Sequence, residues 1–261
     1  TMEQQERLIF DAAGTGVASL GAALGVSGDY LERAHMARSV GANFVCIDVA
    51  HGHHIMVKEA LRHLRMLLGD NFHMKGLNDL SDWGANSVKV GIGGGAICST
   101  RIQTGHGVPG LQSVIDCAKT DRDVKIIADG GIKNSGDIVK ALALGADAVM
   151  CGSLLAGTAE SPGEIKIDSD GNSWKVYRGM ASKEAQIDWR GKYSSLEGVS
   201  SQIPYRGDVT EVISDLERGI RSGLSYAGAR NLAQLHSKAQ MMTQTVSGLA
   251  ESRTHITSRK W

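Results

Sequence analysis

The sequence predicts an α/β fold on parallel strands, closed into a (β/α)8 barrel or covered by helices, and three observations carry that expectation. Short apolar runs of strand length alternate with longer amphipathic stretches, the rhythm of βαβ units. The runs end in Gly, Asp or Ser, where α/β folds place their chemistry. The third is composition: 33 glycines stand against 3 prolines and 5% aromatics in 261 residues, which suits a glycine-turned enzyme better than an aromatic-rich recognition module. This length holds one barrel or two small domains. The expected organisation is a single catalytic barrel over 1–261, with a flap-like excursion at about 158–207 and a polar tail at about 240–261.

In chain order, strands are expected at 17–24, 44–47, 87–90, 125–128 and 148–151. Helical patterns lie between them at 29–39, 54–68, 111–119 and 135–144. The last of these opens on Asn134-Ser135 as a cap and closes at Gly145. Between Leu68 and Leu77 the chain passes from one helix to the next with no apolar run long enough for a strand, so one strand is missing from the alternation. After Gly152 the excursion carries Asp168-Ser-Asp-Gly171 as a hairpin turn and a glycine- and serine-rich stretch at 191–201. Helices resume at 208–221 and 227–239.

Charge and cysteine usage exclude several function classes. Lys+Arg and Asp+Glu both number 28, so no net field exists to hold a nucleic-acid backbone or an anionic membrane. No window approaches the length of a spanning helix, and the first residues lack the basic and apolar regions of a leader, so a cytoplasmic protein is expected. Cys46, Cys98, Cys117 and Cys151 show no CxxC spacing, which leaves only single-thiol chemistry. Cys46, Cys117 and Cys151 read as small core hydrophobes. His51, His53 and His54 share one short loop without a carboxylate or cysteine at ligand spacing, so they do not read as a metal site. Met241 and Met242 read as core or interface filler.

Chemistry concentrates at strand ends. Val90-Gly-Ile-Gly-Gly-Gly-Ala-Ile-Cys-Ser-Thr-Arg101 runs from a strand into glycines that allow close backbone approach, then presents Cys98 beside Ser99, Thr100 and Arg101. A cation there would activate the thiol, so Cys98 is the candidate nucleophile. Ala128-Asp-Gly-Gly131 and Cys151-Gly-Ser153 end consecutive strands, the usual way a barrel builds a phosphate site, with Asp129 placed to accept from ribose hydroxyls. Lys89 is the one lysine near a strand end that an aldol-type rival could use.

These motifs, together with Gly152-Ser-Leu-Leu-Ala-Gly157, Tyr177-Arg-Gly-Met180 and Ser225-Tyr-Ala-Gly228, recur in the order that resembles the inosine monophosphate dehydrogenase and guanosine monophosphate reductase family, over about residues 21–235. The resemblance implies a (β/α)8 barrel, a purine nucleotide substrate, a homotetramer and a covalent intermediate on Cys98. It implies Asp129 as ribose ligand, Gly131, Gly152, Ser153 and Tyr177 around the 5′-phosphate, and Gly179 and Met180 at the base. Asp48 would bind the nicotinamide ribose and Gly91 would receive the carboxamide. Thr100 and Glu197 match the pair that handles the departing amine in reductases. The carbonyls of Gly93, Gly95 and Cys98 match a potassium site, completed across an interface by Glu251-Ser252.

This sequence departs from the family pattern at Gly94, Ala96 and Ser99, and Ala96 lacks an expected phosphate hydroxyl. Three barrel strands have no counterpart, so the sequence is expected to omit parts of a longer chain, since five strands cannot close a barrel of eight. The dehydrogenases need a mobile flap with an adjacent Arg-Tyr pair to activate water. Here Arg190-Gly-Lys-Tyr193 separates the two, and Leu196-Glu-Gly198 follows at a reductase-like distance. The expected reaction is therefore NADPH-dependent deamination of GMP to IMP, the alternative being NAD-dependent oxidation of IMP to XMP.

Overall fold

The computed structural model describes residues 1–49, 52–68 and 77–254. In chain order its elements are α1 (Met2–Gly14), β1 (Gly21–Leu24), α2 (Tyr30–Ser39), β2 (Phe44–Ile47), α3 (Ile55–Leu68), α4 (Asn78–Asp82), β3 (Ser87–Val90), α5 (Thr100–Thr104), α6 (Gly110–Cys117), β4 (Lys125–Asp129), α7 (Ser135–Ala143) and β5 (Ala148–Met150). They continue with α8 (Ser153–Ala156), β6 (Lys166–Ile167), β7 (Ser173–Arg178), α9 (Lys183–Arg190), β8 (Ser200–Pro204), α10 (Val209–Tyr226), α11 (Leu232–Lys238) and α12 (Val246–Glu251).

The five expected strands form as β1 to β5 and pair in parallel, in two arcs. One arc is β1-β2, with Gly21 opposite Phe44 and Leu24 opposite Ile47. The other is β3-β4-β5, with Val90 opposite Ala128 and Asp129 opposite Met150. The missing strand expected between Leu68 and Leu77 concerns residues 69–76, which lie outside the described residues. β1 is shorter than expected, starting at Gly21 rather than at 17, and α1 precedes it where no element was read. The signal for α1 was present in Thr1 and Gln4, which form a reciprocal capping box.

Alternation along the strands sorts side chains into two layers. Val45 and Ile47 of β2, Val88 and Val90 of β3, and Ile126 and Ala128 of β4 point toward the helices and are buried. α7 supplies Ile138, Ala141 and Leu142 to this outer core, and α10 adds Leu216, Ile220 and Leu224. Each such aliphatic side chain contributes about 1.5–3 kcal/mol when fully buried. α7 and α10 approach closely because Gly223 of α10 faces Val139, where an added Cβ would sit 2.6 Å from the valine methyl. The other face of the strands carries Asp48, Lys89, Ile127 and Asp129, and this face holds the site.

The expected cap of α7 is present, with Asn134 accepting from the Asp137 amide at 3.0 Å. Asn134→Ala should cost about 1 kcal/mol, read as a lower urea midpoint at unchanged slope. An unchanged midpoint would contradict the capping role.

The flap-like excursion is a correction to the sequence reading. It is an antiparallel sheet, β6-β7-β8, with Lys166 opposite Trp174 and Arg178 opposite Ser200. The hairpin turn at Asp168 forms as expected, its carboxylate accepting from the amides of Asp170 and Asn172. These strands are short or mostly polar and lack the clean apolar alternation of a half-solvated sheet, which is why only the turn was legible. The tail likewise contains α12, and Met241 and Met242 are exposed rather than core. No described helix is long and apolar enough to cross a membrane.

Lys175 of β7 is 1% exposed. Its ammonium donates to the carbonyls of Thr158 at 2.9 Å, Ala159 at 3.4 Å and Ser161 at 2.5 Å. A buried charge requires such partners. This cage fastens the segment after α8 to the antiparallel sheet.

Candidate functional site

Three acidic and basic groups meet where β2, β3 and β4 end. The Lys89 ammonium lies 2.5 Å from Asp48 Oδ1 and 3.1 Å from Asp129 Oδ2. Burial alone would push the Lys89 pKa down, and the two carboxylates more than reverse this, leaving it above the ordinary lysine value. With the folded value above the unfolded one, this stabilisation is complete below pH about 10.4 and is lost only as pH rises through the folded value. Lys89 is thus a counter-ion, a role that a search for Schiff-base lysines overlooks. The signal was a lysine within a buried strand, which requires a carboxylate nearby.

Backbone, rather than side chains, brings the loops after β3 and β4 together. Gly91 has φ +144°, and a Cβ there would lie 2.1 Å from the Asp129 carbonyl oxygen. Gly130, at φ +95°, packs so closely on Gly94 that its Cβ would come within 2.8 Å of the Gly94 carbonyl carbon. Both positions therefore require glycine for packing as well as for conformation. These loops also border a cavity of about 340 Å³ lined by Gly94, Asp129, Gly130, Gly131, Lys133 and Asp137 among others.

The Cys98 loop is pinned from both sides. Arg101 was expected to lie near the thiol as an activating cation. Its guanidinium instead donates to the carbonyls of Ile92, at 2.9 Å, and Val108, at 2.6 Å, clamping the two ends of the loop. On the other side Cys98 forms an antiparallel bridge with Gly198. The Ser99 amide donates to the Glu197 carbonyl and the Val199 amide to the Ile97 carbonyl, both at 2.9 Å. The Cys98 thiol donates to the Thr100 hydroxyl at 3.2 Å. The thiol and the backbone of Glu197 thus lie on either side of one isolated β-bridge, with Thr100 opening α5 beside them, while Ser195 Oγ donates to Glu197 Oε1 at 3.3 Å.

The remaining expected residues gather on the same side. Tyr177, from β7, reaches Gly152, where a Cβ would lie 2.9 Å from the phenol oxygen. Burial first, and then the Asp129 carboxylate, push the Tyr177 pKa up. Ser153 opens α8 directly after Gly152. Gly179 packs under Ile97, while Met180 is 70% exposed. Gly95 accepts from the Cys98 amide at 3.1 Å. A carbonyl keeps a second lone pair, so the Gly95 oxygen can still accept from, or coordinate, a further group. Asp48, more than half exposed, keeps its second carboxylate oxygen outside the ion pair with Lys89.

Outside this site, Cys117 and Cys151 pack against the outer core and burial pushes both thiols up. His53 pairs with Asp79 at 2.7 Å and stacks on Trp83. His51 lies outside the described residues. Ser252 of the expected Glu251-Ser252 pair donates to the Gly248 carbonyl of its own chain at 2.8 Å.

Parallel strands carrying a thiol on a glycine loop, with Asp129 and the glycine turns at 130–131 and 152 on neighbouring strand ends, define an α/β fold with its polar groups gathered at the carboxyl ends of the strands. The family model described as "IMP dehydrogenase / GMP reductase domain" matches residues 10–255. The chain belongs to this family. Its fold is correspondingly that of a TIM-barrel family.

Among curated relatives, the inosine-5′-monophosphate dehydrogenase of Nitrosopumilus maritimus is 42% identical over 257 residues, covering 90% of this chain and 54% of that protein. The GMP reductase of Leishmania major is 38% identical, covering 92% of this chain and 53% of the relative. A crystal structure of a GMP reductase variant from Trypanosoma brucei in complex with guanosine 5′-monophosphate superimposes with a TM-score of 0.85 at 36% identity, covering 92% of this chain and 53% of that one. The chain spans about half the length of the curated relatives it matches.

Proposed function

We propose that this chain is the catalytic part of a purine nucleotide oxidoreductase that deaminates GMP to IMP with release of ammonia. The observation that carries the reductase reading is the short, tied-down path from Met180 to Glu197. One helix, α9, and a turn span it, and the backbone of Glu197 is bonded directly to the thiol loop. A water-activating flap would have to move in and out of the site. Here Tyr193 is separated from Arg190 in sequence, and its ring lies under the Lys183 ammonium at 4.9 Å.

In this reading the Cys98 thiolate adds to C2 of the purine. Glu197 and Thr100 hand a proton to the exocyclic amine, the C2–N bond breaks, and ammonia departs, leaving a thioimidate on Cys98. Asp48 and Gly91 would hold a reduced nicotinamide dinucleotide, which would supply the hydride that this carbon needs. Loss of the Cys98 sulfur from C2 then yields IMP and regenerates the thiolate. Asp129 orients the ribose, Gly131, Gly152, Ser153 and Tyr177 surround the phosphate, and Gly179 and Met180 flank the base. The carbonyl oxygens of Gly93, Gly95 and Cys98 are the ones a potassium ion would take.

A second reading, oxidation of IMP to XMP with NAD, is favoured by curated relatives named as dehydrogenases at 42–44% identity, above the 38% of the named reductase. The absorbance of the reduced nicotinamide in two cuvettes of full-length protein separates the two. Its loss with GMP and NADPH is the expected result. Its formation with IMP and NAD, rising with potassium, would overturn the reductase reading.

A further inference from the structure

We propose that Gln186, on α9, is a positioning residue that holds Glu197 at the thiol loop; this rests on the reading of Glu197 as a proton-handling group. Gln186 is 5% exposed, and its amide is saturated by backbone on two sides. Its nitrogen donates to the carbonyls of Ala181 at 3.1 Å and Ser195 at 2.9 Å, and its oxygen accepts from the Ser194 amide at 3.1 Å. The first contact lies just after Met180, and the other two lie just before Glu197. One side chain therefore closes the whole excursion between those two residues into a fixed ring.

Two further bonds extend this ring to the chemistry. Ser195 donates its hydroxyl to Glu197 Oε1, and the Glu197 carbonyl accepts the Ser99 amide beside Cys98. α9 itself is anchored by the Ser182 cap, whose hydroxyl accepts from the Ala185 amide, and Ser182 is fully buried. The clamp thus joins a buried base to a stretch that runs from exposed Ser194 and Ser195 to half-buried Glu197. Ser194 and Ser195, which lead into Leu196 and Glu197, are exposed, so hydrogen bonds rather than burial fix their path. Loss of the clamp is expected to act on proton delivery rather than on nucleotide binding, because Asp129, Gly152 and Tyr177 are positioned by other elements.

The test uses Gln186→Met, which keeps the length and volume and removes every hydrogen bond. With full-length protein, kcat in the reaction the protein runs is expected to fall about tenfold, with nucleotide KM within about threefold, as loss of oriented hydrogen bonds implies. Amide exchange at Ser194 and Ser99 is expected to accelerate about tenfold, which is read without reference to activity.

The deciding comparison is a double-mutant cycle with Glu197→Gln, in which Gln186→Met should cost nothing further. An equal fall in both backgrounds would overturn the proposal, as would unchanged exchange. Wild-type turnover in Glu197→Gln alone would instead overturn the role given to Glu197. If Gln186→Met does not remain folded, Ser195→Ala replaces it: a severalfold fall in kcat, absent in the Glu197→Gln background, is expected, and an unchanged kcat overturns the link.

Discussion

Cys98→Ser is expected to lower turnover by about 10³-fold or more, with the dissociation constant of the nucleotide within about threefold of wild type. The size follows from removing a covalent nucleophile, since a serine hydroxyl without an adjacent base is a far weaker attacking group at neutral pH. Binding should survive because the groups proposed to hold ribose and phosphate, Asp129, Gly152 and Tyr177, lie on β4, β7 and the loop after β5, and do not depend on the sulfur. Rapid-quench mass measurement should show a nucleotide adduct on the wild-type chain and none on the variant. Near-normal turnover by Cys98→Ser would refute the covalent scheme.

Lys89→Met carries the second large effect. Methionine matches the lysine in length but leaves Asp48 and Asp129 facing each other with their shared cation removed. Breaking a fully buried pair costs about 3–5 kcal/mol. Here Asp48 and Asp129 are 58% and 30% exposed, so solvent screening reduces the expected loss to about 1–2 kcal/mol. The sign with pH follows from the lysine that is removed, whose pKa the fold raises. That stabilisation is fully present while the lysine is charged, so the deficit should be full at neutral pH and shrink as pH rises through the lysine range. Urea unfolding of variant and wild type at neutral and alkaline pH checks this, and a pH-independent deficit would refute it. Turnover should fall as well, because both carboxylates are proposed to grip riboses.

How far the sequence alone carries depends on the kind of signal. The parallel strands were legible because apolar runs bounded by Gly and Asp have no other economical explanation, and their order places Cys98, Asp129 and Gly152 at one end. The antiparallel sheet was not, apart from its turn, because β8 reads Ser-Ser-Gln-Ile-Pro and β7 buries Lys175 while exposing Val176, so neither carries the apolar periodicity of a strand. The partners of single side chains were the least legible. Arg101 was read as a neighbour of the thiol from adjacency in sequence, yet a helix starting at Thr100 turns it back toward Ile92 and Val108. Lys89 and Gln186 were missed as positioning groups for the same reason. A residue's partner across 41 positions, as for Lys89 and Asp48, is set by strand register and by nothing local.

The ammonium of Lys175 has a consequence for how the molecule tolerates its surroundings. Three carbonyls converging on one positive charge form the kind of nest that many proteins fill with a dissolved ion, whose occupancy then follows its concentration. Here the charge is carried by the chain itself, so the joint between the segment after α8 and the antiparallel sheet neither loads nor empties as the medium changes. The sheet that carries Tyr177 is in this way fastened independently of salt.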